Sequence, residues 1–104
     1  MRYERALDVL GDPMRRRIME LLRPGPLPVG AIAERLPVSR PAVSRHLRLL
    51  TDASLVRHRA HGTRNLYEVD RRGLEEVRAW LDAWWDEPLD RFADHVEEHS
   101  DDDV

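Results

Sequence analysis

The feature that most constrains this chain is a pair of short amphipathic segments separated by a proline. Apolar residues recur at the i, i+3, i+4 and i+7 spacing of one helix face in the first segment: Val29, Ile32, Ala33 and Leu36. This spacing predicts a helix over 29–36. Pro37 ends it because the residue before a proline is pushed out of helical geometry, and Ser39 is a good N-cap for a helix over 40–52. Two short helices joined by a three-residue turn predict a helix-turn-helix.

The residues before this pair predict two further helices and a loop. The first helix covers 3–10 and stops at Gly11. Asp12 then caps a second helix with Pro13 at its first position, where the missing N–H costs nothing. The stretch 23–28 contains three prolines and a glycine, so it is interpreted as a loop.

The residues after the pair predict a β-hairpin followed by a long helix. Segments 55–59 and 66–69 have strand character, and Gly62 lies in the basic tip between them. Asp70 is expected to cap the final helix. That helix carries a broad apolar stripe made of Leu74, Val77, Trp80, Leu81, Trp84 and Trp85.

The composition predicts one folded domain with an acidic extension. We expect residues 1–87 to form this folded domain. Pro88 is expected to interrupt the last helix, and 88–104 form an acidic C-terminal extension that is partly disordered, above all from Glu97 onward.

Several classes of protein are disfavoured by what the sequence lacks. It contains no cysteine, which excludes disulfides, thiolate metal sites and cysteine nucleophiles. No run approaches the roughly 18 consecutive apolar residues of a membrane span, and no apolar stretch follows the N-terminus as in a secretory signal. We therefore expect a cytoplasmic, soluble protein without a membrane partner.

The charge is distributed unevenly along the chain. Although the formal net charge is −3, residues 35–64 hold seven arginines against the single acid Asp52. Residues 82–104 hold ten acids against Arg91 alone. Such asymmetry matters more for a DNA-facing surface than total charge does, although a solvated basic face explains the charge alone equally well.

The fourth predicted helix has two distinct faces. One face is expected to pack on the third helix and consists of Val43, His46, Leu47 and Leu50. The other is rich in arginine, which can bind guanine O6 and N7 with two hydrogen bonds or hold phosphate, and in small residues that let the backbone approach a groove. The predicted DNA contacts of this helix are Ser39, Arg40, Pro41, Ala42, Ser44, Arg45 and Arg48. Plain amphipathicity of a surface helix is the alternative.

The hairpin predicts a second contact with DNA. Basic residues lie on or near its tip: Arg57, Arg59, His61 and Arg64. A basic β-wing beside a helix-turn-helix can lie against phosphates or enter the minor groove. Such phosphate contacts fix the register on the duplex rather than read its sequence.

Two motifs carry a resemblance to a known family. Asp-Pro-Met-Arg-Arg-Arg-Ile at 12–18 and Ser-Arg-Pro-Ala-Val-Ser-Arg-His-Leu at 39–47 closely resemble those of the ArsR family of winged-helix repressors, over about residues 3–86. The resemblance implies a mainly α winged helix-turn-helix fold with a β-hairpin wing, in the order four helices, two strands and a fifth helix. It also implies a dimer formed through 3–10 and 74–85, with the fourth helix in the major groove of double-stranded DNA.

Three residues depart from the family pattern. Pro28 stands where a serine or threonine cap usually opens the third helix, and Pro37 stands in a turn where glycine or asparagine is common. Ser54 replaces the usual glycine after the recognition helix, so a left-handed backbone is expected there.

The sequence favours a regulator without a metal site or cofactor. Many members of the family release DNA on binding metal, through cysteines or through histidines on the last helix, and residues 70–87 contain no histidine. His95, Glu98 and His99 have a spacing that could hold zinc, but a solvated acidic helix end explains them better. A metal- or ligand-responsive repressor remains the alternative.

The tryptophan-rich last helix predicts a homodimer. Its apolar stripe is too wide to be covered by a domain of this size, and burial against a second copy removes an aggregation risk. The predicted interface consists of Tyr3, Leu7, Leu10, Leu74, Val77, Trp80, Leu81 and Trp84. A two-fold dimer would place its recognition helices about 34 Å apart on a roughly palindromic operator, a geometry suited to a repressor that occludes a promoter.

Two other classes of function fit the sequence less well. An enzyme is disfavoured because no glycine-rich phosphate loop, nucleophile elbow or metal-ligand spacing is present. A winged helix used as a protein-interaction module or for RNA would need an apolar, acidic or aromatic reading face, and the predicted face is rich in arginine.

Overall fold

The computed structural model describes residues 2–86, so the predicted acidic extension lies outside the described residues. Five helices and three strands follow one another as α1 (Arg2–Leu10), α2 (Pro13–Leu22), β1 (Leu27–Pro28), α3 (Val29–Glu34), α4 (Arg40–Asp52), β2 (Val56–His61), β3 (Arg64–Val69) and α5 (Arg71–Asp86).

The predicted helices are confirmed with small shifts at their ends. α1 begins one residue earlier than expected, and α3 ends at Glu34 rather than at Leu36. The shorter α3 has a physical reason. The N–H groups of Arg35 and Leu36 bind the carbonyls three residues back, at 3.1 and 3.3 Å, so the chain tightens before it reaches Pro37.

The interpretation of 23–28 as a loop is wrong at its end. Leu27 and Pro28 form a short strand that pairs antiparallel with Tyr67 and Leu66 of β3. The sheet therefore has three strands in the order β1-β3-β2, where the sequence predicted only a two-stranded hairpin. Pro28 fits because β1 lies at the edge of the sheet, where a missing N–H breaks no ladder.

The hairpin is longer than predicted and its turn is tighter. β2 runs on to His61 and β3 begins at Arg64, which is its direct partner, so Gly62 and Thr63 alone form the turn. Gly62 has a φ of +64°. A positive φ at the first turn residue alone is the pattern of a type II′ turn, in which glycine is favoured at this position.

The three predicted helix caps are confirmed. Asp12 Oδ1 accepts from the N–H of Met14 at 2.7 Å, and Ser39 Oγ accepts from Ala42 at 3.3 Å. Asp70 Oδ1 accepts from the N–H of Arg72 at 3.0 Å. Each cap satisfies a donor that the first helical turn leaves without a partner.

The core lies where the helix-turn-helix meets α1, α2 and the base of the sheet. Its largest fully buried side chains are Ile18, Leu22, Ile32, Val43, Leu47, Leu50, Leu55 and Val56. The inward face of α4 thus packs as the sequence predicts, which leaves the opposite face free of core contacts. Within residues 2–86 no helix is both long enough and apolar enough to cross a membrane.

The end of α4 has the left-handed residue that the sequence predicts. Ser54 has a φ of +58°. Its N–H binds the carbonyl of Thr51 at 3.0 Å, and the N–H of Leu55 binds the carbonyl of Leu50 at 3.0 Å. These two bonds make a Schellman motif, in which the left-handed position is usually glycine.

Candidate nucleic-acid interface

The outer face of α4 is open to solvent. Of the seven residues predicted to contact DNA, Ala42 is half-buried and the others are exposed: Ser39, Arg40, Pro41, Ser44, Arg45 and Arg48. Among the described residues, Arg45 and Arg48 form no hydrogen bond and no ion pair. Two unpaired guanidinium groups one turn apart are therefore available to an external acceptor.

The first residue of α4 lies over the start of α3. A Cβ built on Gly30 would be 4.0 Å from Cζ of Arg40, so the guanidinium covers this glycine at contact distance. Arg40 also lines a cleft of about 560 Å³ together with Arg64 and Asn65 of the wing. The structure thus brings one predicted residue of the recognition helix and one of the wing to the same cleft.

The four predicted wing residues lie on one face of the hairpin. Their exposed side chains are Arg57, Arg59, His61 and Arg64. Alternation along β2 places the first three on one side, and the register pairs Arg64 with His61 on that side. The wing therefore presents one basic face.

An acidic residue reduces the free charge of that face, which sequence reasoning missed. Arg57 is directly opposite Glu68, and its Nε donates to Oε1 at 3.0 Å. Nε of Arg59 lies 3.8 Å from the same oxygen. Only the register of the hairpin reveals this pairing, because the residues are eleven positions apart.

A second missed residue is Arg15, at the junction of three elements. Its side chain is only 17% exposed, whereas the two arginines that follow it are exposed. Its Nε donates to the carbonyl of Val9 at 2.6 Å, and its Nη1 lies 3.5 Å from Nδ1 of His46 on α4. Its position three residues after the cap Asp12 is the one sequence signal for an inward contact.

The same cluster perturbs the helix cap. Burial alone raises the pKa of the Asp12 carboxyl. Hydrogen bonds from the N–H groups of Met14 and Arg15 and the charge of Arg15 outweigh that effect, so the pKa lies below its usual value. The carboxylate is therefore held in its charged form.

The predicted dimer residues of α1 and α5 contact each other within one chain. The rings of Tyr3 and Trp80 stack with centroids 5.5 Å apart and an angle of 15° between their planes. Trp80 also meets Trp84 edge to face at 5.8 Å. Part of the aromatic stripe is therefore intramolecular packing, which the sequence could not separate from an interface.

The other side of α5 remains exposed. The exposed fraction of the side chain is 36% for Leu74, 41% for Leu81, 51% for Trp84 and 63% for Trp85. Trp85 was not among the predicted interface residues, yet it is the most exposed of these four. It lies one turn after Leu81, a spacing that could have placed it in the same stripe.

Candidate metal ligands are not grouped among the described residues. Within residues 2–86 no group of three histidine, cysteine, aspartate or glutamate side chains is placed to hold an ion. The candidate ligands His95, Glu98 and His99 lie outside the described residues.

Known proteins match this chain in sequence and in fold. Residues 10–59 match the family model described as a helix-turn-helix domain. The HTH-type transcriptional regulator Rv2034 of Mycobacterium tuberculosis is 46% identical over 95% of this chain and 92% of its own length. A solved winged helix-turn-helix DNA-binding domain from Mycobacterium bovis, described as homodimeric and as a possible ArsR-family transcriptional regulator, has a TM-score of 0.66. This chain belongs to the ArsR family of transcriptional regulators.

The relatives are described as regulators of transcription. The Mycobacterium bovis domain is 28% identical and the alignment covers 83% of this chain and 80% of that one. The transcriptional repressor SdpR of Bacillus subtilis is 32% identical over 69% of this chain and 80% of its own length. The family role is regulatory and not enzymatic. The predicted winged helix-turn-helix fold is confirmed.

Proposed function

We propose that this ArsR-family chain is a cytoplasmic, homodimeric repressor that binds double-stranded DNA sequence-specifically and occludes a promoter. The observation that carries the proposal is the outer face of α4, where Arg45 and Arg48 are exposed and unpaired among the described residues. In α4, which we call the reading helix, residues 40–51 include no acidic side chain that would repel phosphate.

The chemistry of the α4 face favours base reading. Arginine offers a planar fork that matches O6 and N7 of guanine in the major groove. Pro41, Ala42 and Ser44 are small enough for the helix backbone to approach the base edges. We assign base contacts to Arg45 and Arg48, and phosphate contacts to Ser39 and Arg40.

The wing residues are assigned to the DNA backbone. His61 and Arg64 lie at the tip and lack an acidic partner among the described residues, whereas Arg57 and Arg59 share Glu68. Contacts of this type add affinity for every sequence and a dependence on salt, but little discrimination between bases.

Dimerisation through α1 and α5 is supported by the exposed apolar side of α5 and by the homodimeric state of the Mycobacterium bovis neighbour. We propose an interface built from Leu74, Leu81, Trp84 and Trp85, with the Tyr3–Trp80 stack behind it. Two reading helices related by a two-fold axis would meet half-sites about 34 Å apart on a palindromic operator.

We further propose that residues 1–87 suffice for binding and dimerisation, that 88–104 form an acidic extension, and that no metal is needed. The absence of cysteine from the whole chain and of histidine from 70–87 supports metal independence. Titration with Zn²⁺ by calorimetry tests this point. Sub-micromolar zinc binding that weakens the affinity for DNA would contradict metal independence and favour a metal-responsive repressor.

The experiment for the main proposal compares base contacts with backbone contacts. A duplex is first selected from a random-sequence pool with the wild-type protein, and binding is followed by fluorescence anisotropy at two salt concentrations. Arg45→Gln and Arg48→Gln should each cost about 1–3 kcal/mol on the selected duplex and relax its preference at one base pair. Arg64→Gln should weaken all duplexes alike and reduce the salt slope by about 1.

Arg17→Gln on α2 is the matched control, since it removes the same charge from an exposed helix position outside α4 and the wing. Its affinity should stay near that of the wild type. The proposal fails if the wild-type protein enriches no sequence, or if the two α4 variants bind the selected duplex unchanged.

A further inference from the structure

The contacts of Arg15 join the reading helix to α1. Its Nε donates to the carbonyl of Val9 in the last turn of α1 at 2.6 Å, and its Nη1 lies 3.8 Å from Asp12 Oδ2. The same Nη1 lies 3.5 Å from Nδ1 of His46, in the middle of α4. One side chain thus spans the end of α1, the start of α2 and the reading helix.

We propose that Arg15 is a positioning residue for DNA recognition, which sets the placement of α4 relative to α1. This inference rests on the proposed function. If α1 belongs to the dimer interface, the angle between α1 and α4 decides how the two reading helices of a dimer meet their half-sites. A residue that fixes this angle controls specificity without contacting DNA.

The contact depends on the chemistry of both side chains. A guanidinium has donors in a fixed fork and no acceptor, so in a hydrogen bond between the two groups Nδ1 of His46 is the acceptor. Lysine has the same charge as arginine. Its ammonium group lacks the planar fork of donors, so it cannot donate to Val9 and to His46 in the same geometry. The position therefore depends on geometry as well as on charge.

Neighbouring contacts do not provide the same link. Arg5 of α1 lies 3.7 Å from Asp52 at the end of α4, but their side chains are 61% and 50% exposed. Exposed pairs of this kind contribute little. Arg16 donates to the carbonyl of Leu10 at 2.7 Å from an exposed position, and Arg17 is exposed without a described bond.

The test measures a ratio of affinities in the full chain. The two probes are the duplex selected by the wild-type protein and a random-sequence duplex of equal length. Partial unfolding or loss of a phosphate contact lowers both affinities by the same factor, whereas misplacement of α4 lowers the first more. Arg15→Gln and Arg15→Lys should each reduce the ratio roughly 2- to 30-fold. Arg17→Gln, which removes a charge from the next residue, should leave it unchanged.

A second pair of variants tests the His46 end of the contact. His46→Asn keeps an acceptor near the position of Nδ1, and His46→Leu removes it. We expect the ratio to stay near the wild-type value for asparagine and to fall for leucine. The ratio for Arg15→Gln combined with His46→Leu should be no lower than that of the more affected single variant, because both changes break the same contact.

Each outcome decides between two claims. If the wild-type protein enriches no duplex, the proposed function fails and this inference falls with it. If a duplex is enriched and the Arg15 variants keep the wild-type ratio, or Arg17→Gln reduces it equally, the positioning role is wrong while the proposed function stands. Additive effects of Arg15→Gln and His46→Leu also overturn it.

Discussion

The N–H of Gly73 in the first turn of α5 donates to the carbonyl oxygen of Ser54 at 2.8 Å. This bond joins the left-handed residue that ends α4 to the start of α5. The two backbones approach so closely that a Cβ on Gly73 would lie 2.6 Å from the carbonyl oxygen of Ala53 and 2.7 Å from that of Ser54. The end of the reading helix and the start of the last helix are thus connected through backbone atoms.

Gly73→Ala is expected to destabilise the protein by about 1–3 kcal/mol, since the added methyl group must push two backbone segments apart. Urea unfolding followed by circular dichroism measures the loss. Gly25→Ala is the matched control, because a Cβ there meets nothing within 4 Å and its φ is not left-handed. It should leave stability unchanged or raise it by about 0.4–1 kcal/mol. Equal losses for both variants would contradict the close approach.

Ser54→Gly is expected to stabilise the protein by about 1 kcal/mol, because a left-handed backbone costs an L-residue that much and costs glycine nothing. Thermal unfolding provides the measurement. The same change at Ser44, inside α4, should lower stability, since glycine has a poorer helix propensity than serine. A gain at both positions, or at neither, would argue against strain at Ser54.

Glu68→Gln is expected to strengthen binding to every DNA sequence, up to about fivefold, the equivalent of the ~1 kcal/mol ceiling of an exposed ion pair. The change releases Arg57 and Arg59 for phosphates, so the slope of log affinity against log salt should steepen by about 1 to 2. Anisotropy titrations across salt concentrations check both effects. Glu75→Gln on α5 removes an equal charge away from the wing and should leave the slope unaltered.

Asp70 should make stability fall in acid. Its side chain is 4% exposed, and hydrogen bonds from the Arg72 side chain, the nearest at 2.7 Å, lower its pKa despite the opposing effect of burial. A carboxyl with a lowered pKa in the folded state stabilises fully above its unfolded value of about 3.9. That stabilisation is lost as pH falls through the lower folded pKa.

Asp70→Asn should therefore flatten the decline of the free energy of unfolding below about pH 4. Denaturant titrations between neutral and acid pH measure the slope. Arg72→Gln should flatten it too, and the double variant should add little because both changes remove one pair. A wild-type slope retained in Asp70→Asn would assign the acid sensitivity to other carboxyls.

Leu81→Gln combined with Trp85→Gln is expected to give a folded monomer, because both side chains are exposed in one chain. Loss of a buried aromatic contact costs an interface about 2 kcal/mol or more. Light scattering measures the mass and circular dichroism the fold. Tyr3→Gln should instead lower thermal stability, since it removes the stack on Trp80. If the double variant remains a dimer, the interface lies elsewhere on the chain.

α4 could be predicted because two independent signals coincide in it. Apolar spacing gives the face of α4, and the cap at Ser39 gives its start, so both its bounds and its buried side agree with the structure. The two-residue β1 has neither signal. It forms because prolines hold the chain extended beside an open edge of β3, which is a tertiary condition that no local pattern expresses.

The polar contacts around the reading surface were harder to predict. Arg15, Arg16 and Arg17 are consecutive arginines with equal local preferences, and only packing against Val9 and His46 distinguishes the first. The pairing of Arg57 with Glu68 depends on a register that a one-residue slip would abolish. Sequence patterns thus identified the helices and the hairpin, while the partners of individual charges required the tertiary structure.

The edge strand β1 has a mechanical consequence. It pairs with the central strand of the sheet and continues without a break into α3, so the wing and the helix-turn-helix are held in one hydrogen-bonded frame. Any force that lifts the hairpin off a duplex is transmitted through Leu27 and Pro28 to the helices beside it. The two proposed contact regions should then leave DNA together, in a single kinetic step.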